Sequence, residues 1–369
     1  MDWEWSHSLL NVSSSIRAQF DLPCDYAQEE MIHTWLNQSS FRCLTVILID
    51  GMGSRILEKY PEESRFFRAH MAEEVSTVYP PTTSAATTSL RTGKSPAENG
   101  WLGWNQYFKE EDDGIILFLG TSMYGDRKYG GTYAYEKLPI HLICDELNEK
   151  GIRAESIWPS WGVKHGCKDY KDQLNQIITL SNEPDVRYIY AYWDAFDSLM
   201  HKEGPSSDLT RKELARLNDL TEQFSRRLNS DTGVLILADH GQVDVTPVNL
   251  CEIPELLSCL KRPPALEGRT AAFYVREGME EQFVRIMQER FADSFELLTH
   301  DQVVEQRIFG PGTPSPRFEE FIGDYLALAK TELTFALTDK QLKTKGDHAG
   351  MMDAERYIPI ILLGGVHVQ

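Results

Sequence analysis

Aspartate and histidine residues recur directly after short apolar runs of this sequence. Asp50 follows VILI, Asp197 and His201 come just after YIYAYW, and Asp239 and His240 follow GVLILA. In an open α/β sheet, ligands bind at the edge where the carboxyl ends of the strands meet. We therefore expect these side chains to converge at one edge of one sheet.

A sixth candidate, His348, lies in the late segment KTKGDHAG. Three carboxylates and three imidazoles are enough for two metal sites, and this mixture suits divalent cations near zinc. Asp197 and His201 are four residues apart and share one face if their segment is helical. Asp239 and His240 must lie on a turn, because neighbours in a strand point in opposite directions. Each Asp alone could be a helix cap and each His a packed residue, but the repetition favours metal binding.

A hydroxyl-rich segment, VYPPTTSAATTSLRTGKSP, is the second chemical feature. Pro80 and Pro81 predict an extended approach to a helix that begins between Thr82 and Ser84 and ends at Gly93. A helix N-terminus offers unpaired N–H groups and the positive end of the helix dipole, and so attracts phosphate. A hydroxyl there could attack phosphorus. Simple N-capping is the commoner role of such residues, and only the metal ligands elsewhere favour a nucleophile.

Together these motifs resemble the alkaline phosphatase superfamily, most closely its nucleotide pyrophosphatase/phosphodiesterase branch, over about residues 44–363. The segments that carry the resemblance are, in order, LIDGMG, PPTT, TGKSPAENG, DSLMH, DHG and GDHAG. The resemblance implies that Thr83 is the nucleophile and forms a covalent phosphothreonine. It also implies two ligand sets, Asp197, His201 and His348 for one ion and Asp50, Asp239 and His240 for the other. Members of the family usually hold two zinc ions, with manganese in some branches.

One position departs from the pattern of the branch. The branch typically has Asn three residues after the nucleophile, where it contacts a phosphate oxygen, whereas this sequence has Ala86. Thr87, Thr88 and Asn105 are the candidates to supply that substrate contact. The departure leaves the preference for nucleotide pyrophosphates over other esters open. The Cys/Ser-x-Pro-x-Arg segment typical of the sulfatases is absent from the sequence.

The predicted function is that of a two-metal hydrolase of phosphoric esters, either a phosphodiesterase or a nucleotide pyrophosphatase. Its substrate would be a small phosphate ester, with nucleotides among the candidates. A phosphomonoesterase, a phosphonate hydrolase or a phosphoryl mutase of the same superfamily is the alternative, and a non-catalytic metal-binding protein is an alternative of another class. Aromatic residues could stack a planar leaving group, although packing is their commoner role; they are Trp101, Trp104, Tyr107, Trp158 and Trp161.

Short strands and intervening helices must position these residues. The strands are predicted at 44–49, 115–119, 154–158, 188–193, 234–238 and 358–363, and the helices at 63–74, 140–150 and 209–228. This alternation predicts an α/β fold with a largely parallel central sheet and helices on both faces. We expect one alkaline phosphatase-like catalytic domain over 1–369, with a small inserted α+β subdomain at about 270–337. That insert would contain a strand at 270–275 and a helix at Glu280–Phe291.

The composition restricts the class of partner. The net charge of -19 opposes stable binding to nucleic acids, whose phosphates require clustered Lys and Arg. The sequence contains no apolar stretch of membrane-spanning length, and its first residues, MDWEWSHSLL, do not follow the pattern of a signal peptide. The six cysteines include no C-x-x-C pair, so we expect reduced, mostly buried thiols. These features predict a cytoplasmic protein without a membrane partner, and they leave the oligomeric state open.

Overall fold

The computed structural model describes residues 3–160 and 166–365. Within these ranges the strands are, in chain order, β1 (Cys43–Ile49), β2 (Met71–Ser76), β3 (Asn105–Phe108), β4 (Asp113–Ile116), β5 (Thr121–Ser122), β6 (Arg153–Pro159), β7 (Gly166–Cys167), β8 (Val186–Trp193), β9 (Thr232–Leu237), β10 (Val243–Asp244), β11 (Thr246–Asn249), β12 (Ala265–Leu266), β13 (Thr270–Phe273), β14 (Phe295–Thr299), β15 (Tyr325–Ala329), β16 (Leu333–Ala336), β17 (Gly346–Asp347) and β18 (Tyr357–Leu363). The helices are α1 (Leu9–Ala18), α2 (Glu30–Gln38), α3 (Ser54–Lys59), α4 (Arg65–Ala69), α5 (Thr83–Thr92), α6 (Pro96–Asn99), α7 (Tyr133–Lys137), α8 (Ile143–Glu149), α9 (Tyr170–Ser181), α10 (Ala195–Glu203), α11 (Asp208–Ser225), α12 (Pro254–Ser258), α13 (Glu280–Phe291), α14 (His300–Glu305), α15 (Phe318–Phe321) and α16 (Asp353–Arg356).

A mixed sheet with the strand order β2-β18-β9-β1-β8-β6-β7 carries the predicted ligands. Strands β9, β1, β8, β6 and β7 are parallel, whereas β18 runs antiparallel to both β9 and β2. The α/β prediction is confirmed, but the central sheet is parallel only in part. The reason is that the chain enters β18 from the edge where β1 and β9 end, and so must run back along them.

A second sheet, β14-β15-β13-β12-β3-β4-β5, is antiparallel. Its strands β13, β14 and β15 come from the tract predicted as an insert, but β3, β4 and β5 come from residues 105–122. The strand predicted at 115–119 therefore belongs here, as β4, and not to the central sheet. The assignment of one catalytic domain with an insert at about 270–337 stays a prediction.

Apolar residues on both faces of β1 and β9 are fully buried, as expected for interior strands covered by helices. The predicted helix at 63–74 is wrong in its second half, because α4 ends at Ala69 and the next residues form β2. Pairing of β2 with β18 overrides the local preference for helix.

Over the described ranges, no helix has the combination of length and apolar character that crossing a lipid bilayer requires.

All six cysteines lie in the described ranges and are free thiols, of which Cys43, Cys167 and Cys259 are buried.

Candidate metal centre and nucleophile

Two neighbouring strands deliver the first group of predicted ligands. Asp50 follows β1 directly, and Asp239 lies in a bend just after the adjacent strand β9. Gly51 turns the chain with a φ of 73°, and its N–H donates to Asp239 Oδ1 at 3.1 Å. The backbones then approach so closely that a Cβ on Gly241 would lie 2.0 Å from the carbonyl oxygen of Ala354. Only glycine fits there without a shift of the chain.

Asp50, Asp239 and His240 form a compact buried cluster. His240 Nε2 lies 3.3 Å from Asp50 Oδ1 and 3.6 Å from Asp239 Oδ2. These two carboxylate oxygens are buried and have no hydrogen-bond partner within the described part of the chain. Buried polar atoms are rarely left unpaired, so the cluster has the donor set and the free lone pairs of a metal site.

A second group of ligands lies beside the first. Asp197 and His201 are one turn apart on α10, with His201 Nε2 3.4 Å from Asp197 Oδ2. His348 Nε2 lies 4.0 Å from Asp197 Oδ1, and its ring stacks on that of His240 with the centroids 3.8 Å apart. The turn predicted for Asp239 and His240 is present. Asp197 and His201, which were expected to share one face if their segment is helical, do lie on a helix.

The grouping of the second set differs in detail from the prediction. Ligand atoms of His348 come within 4.8 Å of those of Asp197 and His240, and also of those of His201 and Asp347. Asp347 is thus a further carboxylate at this end of the centre, although Thr334 donates to its Oδ2 at 2.6 Å. All six predicted ligands lie together.

The three histidines share one hydrogen-bond arrangement. Each donates its Nδ1–H to a backbone carbonyl, which fixes the tautomer and turns the Nε2 lone pair towards the carboxylates. The carbonyl partners are Gly241 at 3.1 Å for His240, Gly346 at 2.8 Å for His201 and Pro81 at 3.0 Å for His348. Imidazoles that bind a metal through one ring nitrogen usually donate a hydrogen bond from the other in this way.

The pKa shifts of the buried carboxylates and imidazoles also favour bound cations in this centre. Burial raises the pKa of Asp50 well above its ordinary value, and burial together with Asp197 raises that of Asp239 to about 7. Burial lowers the pKa of His240 to about 3 and that of His348 well below its ordinary range. Neutral imidazoles therefore face carboxylates that repel each other, and bound cations would relieve this repulsion.

Thr83 begins helix α5 next to the first cluster. Its Oγ1 lies 3.2 Å from His240 Nε2 and 3.4 Å from Asp50 Oδ2. Thr82, the residue before the helix, does not cap it, since its hydroxyl donates to Glu267 Oε1 at 2.5 Å instead. The first backbone N–H groups of α5 are therefore uncapped and available to an anion beside the Thr83 hydroxyl.

The predicted substrate contacts differ in their surroundings. Ala86 packs in the main core, one turn of α5 after Thr83. The Thr87 hydroxyl donates to the Thr83 carbonyl at 2.6 Å, one turn along the helix. Asn105 donates to the Leu266 carbonyl at 2.9 Å and lines a cavity.

Among the aromatic residues considered for stacking on a planar leaving group, some serve in packing. Trp101 is fully buried and packs on Phe118 and Tyr135, whereas Trp104 lines the same cavity as Asn105. Trp161 lies outside the described residues.

Several supporting residues were not predicted. The Tyr192 hydroxyl donates to Asp50, and the Gln242 amide donates to Asp197. Tyr192 and Gln242 each lie within a few residues of a predicted ligand in the sequence. That closeness was the one feature of the sequence that could have indicated their role. No motif marked Glu267, which is carried by a loop beside a two-residue strand.

A buried ion pair joins the second sheet to the centre. Arg269 Nε and Nη2 donate to the two oxygens of Glu355 at 2.7 and 2.8 Å, and both side chains are fully buried. Glu355 Oε1 accepts from Gly350 N at 2.6 Å, two residues after His348, and its backbone carbonyl accepts from Gly241 N at 2.9 Å. The pair therefore holds the loops on either side of the ligands.

A family model described as type I phosphodiesterase / nucleotide pyrophosphatase matches residues 44–351. The chain belongs to this family. The resemblance seen in the motifs is thereby confirmed, and this type I phosphodiesterase / nucleotide pyrophosphatase family member is a hydrolase of phosphoric esters. The family depends on metal ions, in agreement with the clusters of candidate ligands.

Solved structures of family members share the fold. The murine ectonucleotide pyrophosphatase/phosphodiesterase 5 superposes with a TM-score of 0.67 at 15% identity, covering 87% of this chain and 88% of that chain. The human counterpart gives a TM-score of 0.68 at 15% identity, with the same shares covered. An inactive Thr-to-Ala variant of the murine protein in complex with AMP gives 0.67 at 14% identity, covering 88% of each chain. In sequence, the chain matches none of the curated proteins.

Proposed function

We propose that this family member cleaves phosphate diesters by forming a covalent phosphothreonine at Thr83, with two divalent cations bound beside it. One observation carries the proposal: next to the Thr83 hydroxyl, three histidine Nε2 lone pairs lie beside two carboxylate oxygens that have no hydrogen-bond partner among the described residues. Without positive charge these groups would repel each other and remain buried at a cost. The donor set therefore fits the cations that the family requires.

The ligands divide as the resemblance implies. Asp50, Asp239 and His240 would hold the cation nearer to Thr83. Asp197, His201 and His348 would hold the other. Zinc suits mixed imidazole and carboxylate ligands, and manganese is the alternative. When bound, the cations would favour the ionised hydroxyl and offset the charge on the phosphoryl oxygens.

The chain's own groups account for the remaining steps. The Thr83 oxygen attacks phosphorus, an ester P–O bond breaks, and the departing alcohol takes up the proton that Thr83 gives up overall. The uncapped N–H groups at the start of α5 bind the non-bridging oxygens. Water then attacks phosphorus and breaks the bond to Thr83, which releases a phosphate monoester and restores the hydroxyl.

A nucleotide is the substrate class that the relatives favour. The murine relative was solved with AMP bound, and its variant described as inactive lacks a threonine. Both facts agree with a nucleotide ester and with a threonine nucleophile in this chain.

Replacement of Thr83 tests the proposal. Thr83→Ala should abolish hydrolysis of bis-p-nitrophenyl phosphate while metal analysis of the purified protein still finds two ions per chain. Thr92→Ala, at the other end of α5, is the matched control and should keep the activity. Unchanged turnover in Thr83→Ala would refute the assignment and make Thr82 and Ser84 the next candidates. Comparing bis-p-nitrophenyl phosphate with p-nitrophenyl phosphate separates a diesterase from a monoesterase.

A further inference from the structure

Thr82 occupies the position from which a side chain usually caps a helix. It directly precedes α5, its backbone is extended with φ -142° and ψ 148°, and its side chain is fully buried. A threonine in this place usually accepts a hydrogen bond from the second or third N–H group of the helix. Thr82 makes no such bond, although its backbone has the conformation that capping residues adopt.

Glu267 holds the Thr82 side chain in another direction. Its Oε1 accepts from the Thr82 hydroxyl at 2.5 Å and from Trp104 N at 2.6 Å. Burial raises the pKa of Glu267 to about 8, and a neutral carboxyl still has an oxygen that can accept both hydrogen bonds. The two contacts therefore do not depend on the charge of Glu267.

The direction of the Thr82 hydroxyl decides what the start of α5 can bind. The first N–H groups of α5 belong to Thr83, Ser84 and Ala85, and within residues 3–160 and 166–365 no acceptor binds any of them. These groups lie beside the Thr83 hydroxyl and can donate to an anion. A capping hydroxyl would compete with that anion for the same N–H groups.

We propose that Glu267 is a positioning residue, which keeps the start of α5 free for the phosphate group of the substrate by turning the Thr82 hydroxyl away from it. The inference rests on the proposed function, because that function places the phosphate at Thr83. Buried hydroxyls are rarely left without a partner. Without an acceptor at position 267, the Thr82 hydroxyl would turn to the N–H groups of α5, and the substrate would have to displace it.

Replacement of Glu267 in the zinc-loaded protein tests this inference. Glu267→Met keeps the length of the side chain but removes both oxygens, so the affinity for inorganic phosphate should fall about fivefold, the factor that corresponds to a typical N-cap. KM for bis-p-nitrophenyl phosphate should rise by the same factor and kcat should change by less than about twofold, because bound substrate has already displaced the cap. Glu267→Gln, which retains an acceptor for Thr82, and the exposed control Glu280→Met should keep the native affinity for phosphate.

A second replacement separates capping from general damage at position 267. Thr82→Val keeps the β-branched shape of the side chain but cannot cap the helix. Glu267→Met combined with Thr82→Val should therefore recover the native affinity for phosphate and the native KM. A shift of Trp104 in Glu267→Met would not be repaired by removing the Thr82 hydroxyl. A double variant that binds phosphate as weakly as Glu267→Met would overturn the inference, and so would native affinity in Glu267→Met itself.

Two measurements do not depend on turnover or on a variant that folds. Calorimetry gives the phosphate affinities directly, so the expected pattern of affinities in a protein that hydrolyses no diester would refute the proposed function and leave the role of Glu267 supported. In the native protein, NMR should show slower amide exchange at Ser84 and Ala85 when inorganic phosphate is added. Exchange rates that phosphate leaves unchanged would contradict the inference without any replacement.

Discussion

Neutralising Glu355 should destabilise the protein strongly, because its partner would remain charged in the interior. Glu355→Gln keeps the size and one acceptor oxygen, but it leaves the Arg269 guanidinium fully buried without a counter-charge. Removal of one partner of a buried ion pair costs about 3–5 kcal/mol. At about 2 cal/mol/K of unfolding entropy per residue, the 369 residues correspond to about 0.8 kcal/mol/K, so Tm should fall by about 4–6 °C.

The assay is thermal unfolding of the metal-loaded protein with a matched exposed pair as the control. Arg216 and Glu213 form a bidentate contact on α11 at 2.6 and 2.8 Å, with Arg216 43% exposed. Glu213→Gln should therefore change the free energy of unfolding by less than about 1 kcal/mol. A Tm shift for Glu355→Gln no larger than that of this control would refute the reasoning.

A double replacement separates the charge from the packing. Arg269→Met combined with Glu355→Leu removes both charges, and it should be more stable than Glu355→Gln alone because no ion is left unpaired. A double variant less stable than the single one would mean that the lost hydrogen bonds, from Arg269 to the Thr331 and Leu333 carbonyls and from Gly350 N and Met352 N to Glu355, matter more than the charge.

Three further outcomes are expected. His348→Ala should lower the metal content from two ions per chain to one by elemental analysis, and retention of both would exclude it as a ligand. Gly241→Ala should reduce both metal content and Tm, since its Cβ would collide with the Ala354 carbonyl; a variant with native metal content and Tm would contradict this. Burial raises the pKa of Glu267 from 4.5 to about 8, so folding retains a proton that unfolding releases, and stability falls as pH rises from 4.5 to 8. The Tm of Glu267→Gln should therefore rise relative to that of the native protein between pH 5 and pH 8.5. A Tm difference that does not change with pH would argue against a raised pKa of Glu267.

Much of the centre could be predicted because the ends of several strands can be located from the sequence pattern. β-Branched apolar runs marked β1, β8 and β9, and the residues after them converge because these strands are neighbours in one sheet. The spacing of Asp197 and His201 placed them on one face only on the condition of a helix, and α10 meets that condition although no helix was predicted there. At the ends of β1, β8 and β9 the local sequence pattern matches the strand that forms, so the positions of the residues that follow could be predicted.

The second sheet could not be predicted in the same way. Its strands are two to five residues long, too short to establish a periodicity, and they pair residues 105–122 with residues 265–329. The direction of β18 depends on where the chain arrives from, which no local pattern encodes. Glu267 stayed unnoticed for a related reason: its role depends on Thr82 and Trp104, about 160 to 185 residues earlier in the chain.

The central sheet is complete only after β18, the strand that follows its other strands in the chain, has been synthesised. Strand β18 lies between β2 and β9, so a nascent chain that has emerged only to residue 350 holds β2 apart from the other strands and leaves the edge of β9 uncovered. Long-range pairing of this kind is slow and exposes strand edges to wrong partners in the meantime. Because His348 lies just before that strand in the chain, tight cation uptake would report that synthesis has passed residue 348 and that the ligands of both halves of the sheet have come together.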